Sequence, residues 1–109
     1  MRWLWTIVAF TLMHAQAQPV RVAVAANLRE AFLELVRQFQ QIQPSIKVLP
    51  SFGPSGALVQ QIGQGAPFDL FLSADEGFPK ALEAGGQTEP GSLRVYTRGK
   101  LVLFVPKRT

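Results

Sequence analysis

Two sequence periods alternate along this chain, and the alternation limits the fold more than any other feature. "VRVAVA", Val20 to Ala25, is short, rich in valine and interrupted by one charge, as in a buried parallel strand. "NLREAFLELVRQFQQIQ" follows, with Leu28, Ala31, Phe32, Leu35, Val36, Phe39 and Ile42 at the spacing of an amphipathic helix. Asn27 stands where an N-cap is expected, Glu30 three residues later completes a capping-box pattern, and Pro44 ends the helix. "IKVLPSF" then reads as a second strand, its Pro50 favouring an edge or a bulge. "ALVQQI" is a shorter helix closed by Gly63 and Gly65, and "FDLFLSA" a third strand. "EGFPKALEAGG" is a third helix, with Pro79 in its first turn and Gly85-Gly86 at its end. "LRVYT" and "KLVLFVP" are two further strand-like runs. The order βαβαβαββ predicts the α/β class, a parallel-type sheet with helices on both faces.

The ends of the chain carry a different message. Met1-Arg2, the apolar run Trp3 to Met13 and the small-x-small triplet Ala15-Gln16-Ala17 form a secretory signal pattern over residues 1–17. The run is too short for a membrane-spanning helix, which needs ~20 apolar residues. With no cysteine, the exported chain has neither disulfides nor a lipid-attached N-terminal cysteine. A bacterial periplasm is the simplest destination. At the other end "FVPKRT" follows directly on a strand, with nothing to cover it. Residues 18–109 are therefore expected to be one α/β lobe at the N-terminal side of a longer protein.

Ligands of open α/β sheets bind beyond the carboxyl ends of the strands. Three segments fall there: Ala25-Ala26-Asn27, the "GPSG" of 53–56, and Ser73-Ala74-Asp75. The first two are neutral, and each opens a helix, where free N–H groups and a partial positive charge meet. Ser55 and Asn27 add side-chain donors, and Gly56 leaves the backbone open to approach. Such a site suits an anion held by neutral donors, although serine and asparagine are also ordinary helix caps. The turn at 73–76 carries two carboxylates, which would repel an anion, and reads as structural.

Other chemistries find less support. The only histidine, His14, lies in the leader, so the exported part lacks the commonest general base and metal ligand. Asp69, Asp75 and Glu76 could serve a hydrolase, but Asp75 and Glu76 are adjacent and point different ways. Ser55 has no base beside it, and its surroundings match neither the nucleophile elbow nor a phosphate loop. The net charge of +4 gathers late, at Arg94, Arg98, Lys100, Lys107 and Arg108, in a stretch without a single-strand binding pattern. The residues thus imply no enzyme, no direct metal-cation ligand, no cofactor and no nucleic-acid partner.

Three stretches resemble a known family. "VAVAANLREAF" is similar to the opening strand and helix of periplasmic molybdate-binding proteins, the substrate-binding components of ABC importers. "SFGPSGALVQQIGQGAPFDLFLSAD" resembles that family's most characteristic stretch, and "GKLVLFVPK" the strand leading to its second lobe. The resemblance implies the first lobe of a two-lobe, monomeric binding protein, with molybdate or tungstate held in the cleft and passed to a membrane transporter. It also implies that Asn27 and Ser55 contact the anion, with backbone help from Ala26 and Gly56. Alanine at 26 offers no side-chain donor, Asn27 carries an acceptor as well as donors, and Pro54 removes one N–H. Binding proteins for sulfate, phosphate or organic solutes, and a secreted hydrolase, are the alternatives.

Overall fold

A computed structural model describes residues 18–99 and 103–107. The expected leader, residues 1–17, lies outside them.

Strand β1 (Val20–Ala25) is the centre of a three-stranded parallel sheet, flanked by β2 (Val48–Gly53) and β3 (Leu70–Leu72). Its position follows from its composition. Val22, Ala23, Val24 and Ala25 are all buried, so both faces of this strand must be covered. Side chains alternate along a strand. Val22 and Val24 therefore share one face and pack with Phe32 of helix α1 (Arg29–Ile42), with Leu28, Val36, Phe52 and Leu72 around them. Phe32 meets Phe52 edge-on at 6.1 Å between ring centres, and the Arg29 guanidinium sits 4.9 Å from the Phe52 ring centre. Ala23 and Ala25 face the opposite layer, formed by helices α2 (Ser55–Gly63) and α3 (Gly77–Ala84), in which Leu58 and Leu82 are buried. The Leu58 side chain lies against Gly53, the register partner of Ala25.

The helix ends follow local chemistry. After α2 and α3 the chain turns through Gly65 (φ 95°) and Gly86 (φ 71°), a left-handed conformation that glycine adopts without a Cβ clash. The amides of Ala66 and Gln87 then reach back to the carbonyls of Gln61 and Leu82, at 2.9 and 3.0 Å. Pro79 is in the first turn of α3, and Pro50 lies in β2, an edge of the described sheet.

Two expectations are corrected. Asn27 does not cap α1: residues Ala26–Leu28 form a separate 3-10 turn, the helix starts at Arg29, and no side chain caps it. The capping-box pattern fails because the extra turn moves Asn27 out of register with the helix it was expected to open. "LRVYT" is not a strand. Its residues line a cavity of about 980 Å³ that also borders β3 and α3, so they lack the adjacent ladder a strand needs. Arg94 instead donates to the nearby Gly91 and Leu93 carbonyls. Of "KLVLFVP", residues 100–102 lie outside the described part, and 103–106 have no regular structure.

Candidate functional site at the carboxyl edge of the sheet

Because all three strands run parallel, their carboxyl ends share one edge, and each opens there into a loop. Ala25 pairs with Gly53 in register. Asn27 and Ser55 are each the second residue past that pair, on neighbouring strands, and strands in a sheet run about 4.8 Å apart. The structure thus brings the two predicted residues to the same edge. The third loop, at Ser73, emerges on the other side of β1.

Ser55 is the first residue of α2 and is only 8% exposed. Pro54, at φ −60° and ψ 138°, stands ahead of the helix, and its carbonyl accepts the amide of Leu58 at 3.1 Å. The amides of Ser55, Gly56 and Ala57 precede that bond and belong to the unpaired start of the helix. The Ser55 hydroxyl does not cap its own helix. Its oxygen accepts the amide of Ala74 from the third loop at 3.1 Å. A hydroxyl that accepts in this way still has its own proton to donate.

Asn27 is exposed in the 3-10 turn, and its side chain is not spent on α1. Ala26 is exposed beside it. Gly56 needs a correction of reason. A Cβ there would meet the Phe78 ring at 3.5 Å, so the missing side chain faces α3 rather than open space for a ligand. What it offers toward the loop edge is its backbone amide alone.

The third loop is more than a structural turn, and composition alone did not reveal this. Ser73 is 7% exposed, and its hydroxyl accepts the Asp75 amide at 3.3 Å. The phenol of Tyr96 donates to the Ser73 carbonyl at 2.9 Å, and burial raises the pKa of that phenol. No local motif links Tyr96 to this loop, 23 residues earlier in sequence. Asp75 behaves as expected of a structural residue: its Oδ1 accepts the amides of Gly77 and Phe78 at 2.8 and 3.3 Å, at the start of α3. Glu76 pairs with Lys80 at 3.0 Å, which holds its carboxyl below the usual range with a smaller pull from Arg98.

Asp69 lies at the other end of β3, where its Oδ2 accepts the Arg21 amide and its own amide donates to the Arg21 carbonyl, both at 2.8 Å. Asp69 and Asp75 therefore flank β3 from opposite ends and cannot act as a pair. Among the described residues no cluster of histidine, cysteine, aspartate or glutamate is arranged to hold a metal ion.

Residues 20–109 match the family model of bacterial extracellular solute-binding proteins. The chain belongs to that family. It is 46% identical over 93 residues to the molybdate-binding protein ModA of Azotobacter vinelandii, covering 85% of this chain and 36% of that protein. Against the molybdate-binding protein ModA of Rhodobacter capsulatus it is 46% identical over 90 residues, 83% of this chain and 35% of the relative. The solved periplasmic molybdate-binding protein of Azotobacter vinelandii superposes with a TM-score of 0.64 at 38% identity, over 67% of this chain and 31% of the other. The chain thus spans about a third of the length of the relatives it matches. Its matched part contains all three loops of the carboxyl edge.

Proposed function

We propose that this chain is one lobe of a binding protein that takes up molybdate or tungstate outside the cytoplasmic membrane and delivers it to the membrane component of an ABC transporter. The exported chain acts as a monomer, without a cofactor and without catalysing a reaction. Asn27 and Ser55 donate side-chain hydrogen bonds to the oxyanion, and the amides of Ala26 and Gly56 contribute from the backbone. The rest of the site comes from a second lobe.

One observation carries this reading. The Ser55 oxygen is occupied by the Ala74 amide, so its remaining hydrogen-bonding capacity includes a free proton at the start of α2. A fully deprotonated oxyanion can only accept, and a helix start with a free hydroxyl proton can only profit from that. The identity to proteins named for molybdate binding supports the choice of anion. The hydrolase alternative loses ground because Asp69 and Asp75 are engaged by backbone amides at opposite ends of β3 and Glu76 is paired with Lys80.

Calorimetric titration of the intact protein with molybdate tests the assignment. A hydrogen bond to a charged group is worth roughly 1.5–3 kcal/mol, so Ser55→Ala is expected to weaken binding ~10–100-fold. The melting temperature should also fall, because the Ala74 amide loses its Ser55 acceptor, so the affinity is compared at a temperature where both proteins are folded. Unchanged affinity would reduce Ser55 to a link between loops.

A further inference from the structure

The Ser73–Ala74 peptide is held at both of its polar ends. Its carbonyl accepts from the Tyr96 phenol at 2.9 Å, and its N–H donates to the Ser55 hydroxyl oxygen at 3.1 Å. The peptide is trans, so its C=O and N–H point in opposite directions and the two bonds leave it on opposite sides. The two donors therefore point the same way along the series: phenol to carbonyl, then amide to hydroxyl oxygen.

We propose that Tyr96 is a positioning residue for oxyanion capture, which acts through the Ser73–Ala74 peptide to orient and polarise the Ser55 hydroxyl. The inference rests on the reading of Ser55 as an anion donor. Its physics is that of a hydrogen-bond chain, in which each bond polarises the next. Donation by the phenol withdraws electron density from the carbonyl, and the amide on the same peptide becomes a better donor. Ser55 Oγ, accepting from that amide, in turn offers a more positive proton to the anion. The geometric part is as important as the electronic one. The Ala74 amide fills an acceptor position of Ser55, which leaves the hydroxyl fewer ways to turn its proton away from the ligand. Ser73 keeps this peptide in place through its own hydroxyl, which accepts the amide of Asp75 at 3.3 Å.

A double-mutant cycle on the intact protein separates this role from simple packing. Tyr96→Phe keeps the ring and removes only the donor. It is expected to raise the molybdate Kd roughly two- to tenfold in the otherwise unaltered protein, the range for loss of one neutral hydrogen bond. In the Ser55→Ala background it should have no further effect, because the chain then ends before the anion. In the ligand-free protein, the Ala74 amide proton resonance should move upfield on Tyr96→Phe as its hydrogen bond weakens. Equal weakening in both backgrounds would assign Tyr96 a packing role and overturn the proposal, and so would an unchanged Kd with an unmoved Ala74 resonance. Ser55→Ala without effect on Kd would instead remove the anion reading on which the relay depends, and that result is read before Tyr96 is altered.

Discussion

At the scale of single residues, the sequence named Asn27, Ser55, Ala26 and Gly56 but could not say what each one does. Serine and asparagine before a helix are equally consistent with capping and with binding. The geometry removes the capping use. Ser55 accepts from another loop and Asn27 sits in a 3-10 turn, so neither side chain caps the helix that follows it. Tyr96 was not legible as part of this edge, because its link to Ser73 is a single tertiary hydrogen bond with no sequence period behind it. Gly56 illustrates the opposite error, a residue whose smallness was read as access for a ligand when it faces the Phe78 ring. Its Cβ position has ordinary van der Waals room at 3.5 Å. Gly56→Ala should therefore fold, and should gain up to about 0.5–1 kcal/mol by removing backbone freedom from the unfolded chain. Thermal or denaturant unfolding reads that gain, and molybdate affinity should stay within about twofold because the new methyl points to α3. A large loss of affinity would return Gly56 to the ligand face.

At the scale of elements, the two sequence periods identified the three helices and the three strands of the sheet, because each buries a face whose spacing is written in apolar residues. β1 is the clearest case: four consecutive buried residues put it in the middle. The failures lie where a pattern needs a partner to become structure. "LRVYT" has strand composition but runs beside a cavity instead of a ladder, and composition cannot supply the neighbour. The capping box at Asn27 failed by the length of one extra turn. The turn at 73–76 reads as structural in the sequence; the structure adds its bonds to Tyr96 and Ser55, and the acceptor at the start of α3 is Asp75. Its Oδ1 takes two amides at the start of α3, so Asp75→Ala should cost about 0.5–2 kcal/mol of stability. A fall in the urea midpoint at unchanged slope would show this. An unchanged midpoint would mean that α3 starts without help from Asp75.

At the scale of the whole molecule, the parallel order β2-β1-β3 delivers three loops to one edge. At the opposite end of the sheet the Arg21 backbone is bonded to both the amide and the carboxylate of Asp69. The α1 layer is less complete. Phe32 is buried, whereas Leu35 and Ile42, from the same predicted stripe, are 60% and 76% exposed. An apolar groove of about 290 Å³ remains there, lined by residues that include Phe32, Leu35, Phe39 and Leu70. The stripe was legible in the sequence, but its degree of cover was not, since cover depends on what packs against it.

Competition among anions tests whether this edge binds an oxyanion through neutral donors. Molybdate, tungstate and sulfate are acceptors only near neutral pH, whereas monoprotonated phosphate must also donate. With Asn27 presenting its side-chain N–H2 rather than its carbonyl, the phosphate proton faces donors at a cost of about 1–3 kcal/mol, so phosphate should compete worst. Sulfate has the same acceptors on a smaller tetrahedron and should compete much less well than tungstate, which should match molybdate. Displacement of bound molybdate from the intact protein by each anion in turn is the measurement. The expected order is tungstate equal to molybdate, then sulfate far weaker, then phosphate. Phosphate displacing molybdate as readily as tungstate does would contradict a donor-only site at Asn27 and Ser55.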